Sequence, residues 1–185
     1  MPDSITRPGH RLPQRIAVSG DTGSGKTTLA RRLAAMTGAQ HVELDALYHG
    51  PNWTPAEDGV FRARVLEHTS CDAWVTDGNY QTVRDLTWGR AELLIWLDYP
   101  LWRKGWRLFW RSLRRGVRKE ELWNGNRESL RTHFMTKDSL FLWLIRTHFG
   151  RRRLYPQRFA EFPRLRVVRV RSPRELDRWL AQRAP

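Results

Sequence analysis

A chain of 185 residues with one cysteine, ten tryptophans and a net charge of +14 has room for one α/β domain with a full core and too little for two. The lone thiol, Cys71, rules out a disulfide framework and suits a reducing cytosol. No apolar run approaches the roughly 18–20 residues of a membrane span, so a cytoplasmic protein with no membrane partner is expected. The charge is uneven: residues 1–100 sum to −2, residues 101–153 to +11 and residues 154–185 to +5, a field that draws in polyanions such as a nucleotide's phosphates or a nucleic acid.

Met1–Gln14 holds Pro2, Pro8, Gly9 and Pro13 and has no apolar stretch of a secretory signal, so it reads as a flexible leader to a single domain over 15–185. Arg15 to Ser19 is a short β-branched run of the kind a buried strand needs. Gly20-Asp21-Thr22-Gly23-Ser24-Gly25-Lys26-Thr27 follows it and matches G-x-x-x-x-G-K-[ST], the loop that wraps nucleotide phosphates; Lys26 to Met36 then reads as a helix. Strand, glycine loop and helix is the order the mechanism demands. The glycines let successive N–H groups turn onto phosphate oxygens, and the helix N-terminus adds its positive dipole end. Residues 20 to 28, including Thr28, are therefore the expected nucleotide-binding segment, with Lys26 on the β/γ-phosphates and the Thr27 hydroxyl on Mg²⁺.

Gly38 is placed to cap the first helix. Gln40 to Asp45 reads as a second strand ending in a carboxylate. Thr54-Pro55-Ala56-Glu57 predicts a capping box opening a helix to about Thr69, with Val60, Phe61, Val65 and Leu66 on its apolar face. Ala73–Asp77, Glu92–Asp98 and Leu165–Val170 read as further strands, and Ser172-Pro173 opens a last helix to about Arg183. Strands alternating with helices imply a parallel, doubly wound sheet with sites at the strands' carboxyl ends. Residues 101–150 exceed a simple crossover. Trp102, Trp106, Phe109 and Leu113 recur on one helical face, at spacing that suits a core, beside a stripe of Arg103, Arg107, Arg111, Arg114 and Arg115. Glu128 to Phe149 predicts a second helix with Gly150 as its cap, and the two helices with the turn at Trp123–Asn126 form a plausible arginine-rich lid. Most of the tryptophans are expected to pack.

Phosphoryl transfer needs positioning, Mg²⁺ and positive charge on the migrating group more than covalent help. Asp77, at a strand end, stands where a further Mg²⁺ carboxylate would, or it caps the turn before Gly78. Asp45 faces the acceptor side, where it binds the acceptor, takes its hydroxyl proton, holds metal through water or serves as a turn residue. Arg107, Arg111 and Arg115 are the candidates for neutralising transition-state charge, and Arg84 and Gly78 for the acceptor pocket. The histidines show no metal-ligand spacing, which argues against a zinc site.

Asp77-Gly78-Asn79-Tyr80-Gln81-Thr82 resembles the Asp-Gly-Phe-Pro-Arg-Thr segment of adenylate kinases. Together with Glu43–Tyr48, Trp53-Thr54-Pro55 and Glu121–Ser129, it makes residues 15–180 similar to bacterial adenylate kinase-related proteins of the "DNA topology modulation" (FlaR-like) group. The resemblance implies a nucleoside monophosphate kinase-like fold of the P-loop NTPase class: a five-stranded parallel sheet in the order 2-3-1-4-5, flanked by helices, with a lid before the last strand. Adenylate kinases carry Pro-Arg where this chain has Tyr80-Gln81, so their monophosphate-binding arginine is missing there. Asp45 is instead similar to shikimate and gluconate kinases, whose acceptors carry hydroxyl groups.

The expectation is a kinase that uses ATP and Mg²⁺ on a small-molecule acceptor, either a nucleotide or a hydroxylated metabolite. The alternative is a nucleic-acid-binding ATPase gripping phosphate backbone with its basic C-terminal half, its aromatic rings stacking on bases.

Overall fold

The computed structural model describes residues 11–118 and 140–183, and the side chains among them except at 108, 111–118 and 140–147. Five parallel strands form one sheet in the order β2-β3-β1-β4-β5: β1 (Arg15–Gly20), β2 (Gln40–Glu43), β3 (Trp74–Asp77), β4 (Leu93–Leu97) and β5 (Arg166–Val170). Both faces are covered by helices, so the central strands are buried and largely apolar, as is usual in parallel sheets. Every residue of β4 is buried, as is all of β1 after Arg15.

Side chains alternate between the two faces. Ile16, Val18, Ile95 and Leu97 pack with Leu29 and Leu33 of α1 (Lys26–Thr37). Ala17, Leu94 and Trp96 point the other way, into a layer with Trp74, Phe61 and Val65, the last two from α3 (Asp58–His68). The remaining helices are α2 (Leu44–Tyr48), α4 (Arg84–Thr87), α5 (Leu101–Arg118), α6 (Leu140–Ala160) and α7 (Pro173–Ala181). Gly38 ends α1 in the left-handed conformation, and the Ser172 hydroxyl accepts from the Glu175 N–H at the start of α7. This is an α/β P-loop NTPase sheet. No helix among the described residues is long and apolar enough to cross a membrane.

Several local expectations need correction. The second strand stops at Glu43, and Asp45 lies on α2 instead of ending a strand. The capping box does not form: the Thr54 hydroxyl donates to the Pro51 carbonyl at 2.8 Å, Glu57 caps α3 without a side-chain bond, and Val60 and Leu66 are exposed. Gly150 sits inside α6, which continues to Ala160; the predicted start at Glu128 and the turn at Trp123–Asn126 lie outside the described residues. Trp74, Trp88 and Trp96 are buried, but Trp53, Trp102, Trp106 and Trp110 are exposed, so the aromatic face of α5 is not a core face. Of the expected leader, residues 1–10 lie outside the described residues. Leu12 is buried in the core, and the Gln14 carbonyl accepts from the Trp74 N–H at 2.9 Å.

Candidate functional site

The glycine loop joins the centre of the sheet to α1, so its backbone is anchored at both ends. A Cβ at Gly20 would lie 2.8 Å from the Ser24 hydroxyl and 2.9 Å from the Leu97 carbonyl, closer than any side chain allows. Gly25 turns the chain into α1 with φ 92°, a left-handed conformation in which a side chain is strained. The Ser24 N–H closes the loop on the Asp21 carbonyl at 3.2 Å, and the Lys26 ammonium reaches back to the same carbonyl at 3.3 Å. Thr22 and Gly23 are half-buried on the loop, and Thr28 is exposed on the first turn of α1.

Thr27 faces the ends of two strands. Its hydroxyl donates to Asp77 Oδ2 at 2.6 Å and lies 3.3 Å from Glu43 Oε1. Asp77 and Glu43 are register partners on β3 and β2, which is why both carboxylates meet one hydroxyl. His41 Nε2 lies 2.8 Å from the other Asp77 oxygen and fixes its orientation. Asn79 clamps the two central strands: its amide donates to the Gly20 carbonyl at 2.5 Å, and its oxygen accepts from the Ser19 hydroxyl at 2.8 Å.

These residues fit a triphosphate with its cation. The Ser24 hydroxyl is buried with no hydrogen-bond partner inside the loop, and the Gly20 cradle admits no side chain. A hydroxyl beside a carboxylate is a hard-oxygen donor set of the kind Mg²⁺ accepts, the remainder coming from phosphates and water. Among the described residues no group of three or more His, Cys, Asp and Glu could hold a metal by itself.

Beneath the loop lies a charge cluster that the sequence reading missed. Asp21 is buried and ion-paired to Lys104 of α5; Arg151 of α6 donates to it at 3.1 Å, and His148 Nδ1 lies 3.3 Å away. Burial alone would raise the Asp21 pKa, but Lys104, Arg151 and His148 together hold it below the ordinary carboxylate value. Burial lowers that of Lys104, against the pull of Asp21. Arg107 also reaches the loop, its guanidinium 3.4 Å from the Ser24 carbonyl. The side chains of Arg111 and Arg115 lie outside the described residues.

On the acceptor side, the Tyr80 hydroxyl donates to Asp45 Oδ1 at 2.7 Å and lies 3.5 Å from His49 Nε2. Burial, reinforced by the Asp45 charge, drives the Tyr80 pKa upward, so the phenol stays protonated and donating. Its ring packs against Tyr48 and Phe61, with centroids 4.6 and 5.0 Å away. Gly78 lets β3 pass under α2: a Cβ there would lie 2.8 Å from that of Leu44. The structure does not bring Arg84 to this group. It stacks over the Trp88 ring at 4.8 Å, and its charged and phenolic neighbours are Arg158, Tyr155 and Glu161.

Of the site residues the sequence reading missed, Asn79 was signalled by its place in the strand-end turn, while Glu43 meets Asp77 only through the β2–β3 register. Lys104, His148 and Arg151 gave no local sign.

No family model and no curated protein sequence matches this chain. Solved structures do. A gluconokinase from Sinorhizobium meliloti 1021 is similar at 20% identity over 95% of each chain, with a TM-score of 0.52. A shikimate kinase from Acinetobacter baumannii is similar at 19% identity over 92% of this chain and 91% of its own, with a TM-score of 0.57. A shikimate kinase from Bacteroides thetaiotaomicron follows at 15% identity, over 91% and 94%, with a TM-score of 0.50. At these identities the likeness is one of fold alone, the α/β P-loop fold that these structures share.

Proposed function

We propose that this chain is a kinase that transfers the γ-phosphoryl group of Mg-ATP to a hydroxyl or phosphate of a small molecule, in the manner of the adenylate kinase-like P-loop enzymes. The observation that carries the reading is the Thr27–Asp77 pair set at the mouth of the glycine loop. Mg-ATP, when bound, supplies the phosphoryl group and the cation that screens its charge. The chain's own residues do the rest.

Backbone N–H groups of residues 20–28 and the N-terminus of α1 hold the phosphate chain, and Lys26 fixes its outer end. The Thr27 hydroxyl and the Asp77 carboxylate hold the cation, with Glu43 and His41 keeping both in place. Arg107, whose guanidinium lies beside the loop, places positive charge where negative charge grows during transfer. Asp45, oriented by Tyr80, is set to accept the acceptor's hydroxyl proton or to align that hydroxyl.

The absence of an arginine at Tyr80-Gln81 and the presence of Asp45 favour a hydroxylated metabolite or an unusual nucleotide over AMP. The gluconokinase and shikimate kinases of similar fold act on acceptors of that broad kind, by their names. The test is ATP consumption by the purified protein against nucleoside monophosphates, sugar acids and other small hydroxylated compounds. Turnover with one acceptor supports the reading; ATP use driven only by nucleic acid overturns it.

A further inference from the structure

Three tryptophans at four-residue steps along α5, Trp102, Trp106 and Trp110, are 68%, 60% and 51% exposed. A surface helix ordinarily turns such a stripe toward the core. Here the inward side is cationic instead: Lys104 is buried against Asp21, and Arg107 lies along the phosphate loop. At about 100° per residue the tryptophans span an arc of about 80°, and Lys104 stands about 160° from its middle. The Trp106 and Trp110 rings meet edge to face at 5.6 Å, making a continuous strip, and the Arg103 guanidinium lies over the Trp102 ring at 5.1 Å. Every charged residue in the 18 residues of α5 is arginine or lysine.

We propose that this face of α5 docks on an anionic bilayer. The helix lies in the headgroup plane, with the indoles of Trp102, Trp106 and Trp110 at the boundary with the acyl chains and the flanking arginines on lipid phosphates. An exposed tryptophan strip beside a wholly basic flank is the composition of helices that lie on membranes, and indole rings favour that boundary. Charge complementarity selects anionic lipid, which attracts juxtamembrane basic residues. A single-stranded nucleic acid would need rings splayed to receive bases above a groove that tracks phosphates. Here the Trp106 and Trp110 rings pack on each other along the convex side of a helix. Surface docking requires no spanning helix. The same helix brings Arg107 to the phosphate loop from its other side, so the bilayer would cover the outer side of the helix that carries Arg107.

The test is flotation of the full-length protein with vesicles of phosphatidylcholine alone, or with about one-third phosphatidylglycerol. Flotation with the anionic vesicles, little with the neutral ones, and a loss of about tenfold or more in Trp102→Ser/Trp106→Ser/Trp110→Ser is the expected result. Far-UV circular dichroism and ATP binding of that variant should match wild type. Should the variant fail to fold, wild-type protein on anionic vesicles carrying doxyl-labelled lipid should show quenched tryptophan emission; unchanged emission overturns the proposal. Failure of wild type to float overturns it, as does undiminished binding by the variant, which would make the contact charge alone. Capture of a single-stranded oligonucleotide, lost in the variant, without flotation on anionic vesicles would assign the face to nucleic acid and also overturn it.

Discussion

The Thr27 hydroxyl donates to Asp77 at 2.6 Å, tying the first turn of the helix after the glycine loop to the end of a strand fifty residues on. A short O–H···O⁻ bond of this kind is charge-assisted and holds both groups in one place. A cation entering there finds two oxygen donors already assembled, so little ordering remains to be done on binding.

Asp77→Asn keeps the size of the side chain and removes its charge. We expect kcat/KM to fall by about 10²-fold or more, roughly 3 kcal/mol, with the Mg²⁺ concentration for half-maximal activity shifted upward. Activity measured across a Mg²⁺ titration checks this, and an unchanged Mg²⁺ dependence would move the cation site elsewhere.

Asp45→Asn should slow phosphoryl transfer by about 10²–10⁴-fold while leaving ATP affinity intact. Tyr80→Phe, which removes only the hydroxyl that orients Asp45, should lower kcat by a smaller factor. Single-turnover rates set beside equilibrium ATP titrations separate the two effects. Collapse of ATP affinity in Asp45→Asn would assign that residue to the metal site.

Asp21 makes stability depend on acid. Its folded pKa lies below the ordinary carboxylate value because Lys104, Arg151 and His148 favour the carboxylate more than burial disfavours it. The unfolded chain therefore binds the proton more readily. The contribution is fully present above the ordinary carboxylate value and is lost as pH falls through the lower, folded one. Asp21→Asn strands the buried Lys104 and should cost about 3–5 kcal/mol at neutral pH, while flattening the acid limb of the stability curve. Urea melts from pH 7 downward would show both changes. A variant whose stability falls with acid as steeply as wild type would contradict the assignment.

The sheet and the phosphate loop were legible because their signals are local. The strands Ile16–Val18 and Leu93–Leu97 are apolar on both faces, as only a doubly covered parallel strand is, and the glycine–lysine spacing is a short-range pattern. Their lateral order was supplied by the family resemblance. What stayed hidden depends on contacts distant in sequence. Lys104 reads as one more basic residue on an arginine-rich helix until the fold brings Asp21 to it across 83 residues. Glu43 looked like a mid-strand residue, because the strand was expected to run on to Asp45, where α2 has already begun. The Thr54 capping box was outcompeted locally, its hydroxyl taken by the Pro51 carbonyl. The tryptophans of α5 carry the spacing of a core stripe, and only the burial of Lys104 against Asp21 reveals that they face out.

The most direct test of the phosphoryl-transfer account is ATP consumption by wild type and Lys26→Ala, each with the panel of small acceptors and with single- and double-stranded DNA. The account predicts a phosphorylated product from one small molecule and its loss in the variant, which should remain folded because Lys26 is half-buried and serves phosphate instead of the core. Turnover that survives in Lys26→Ala, or that appears only with DNA, would contradict it.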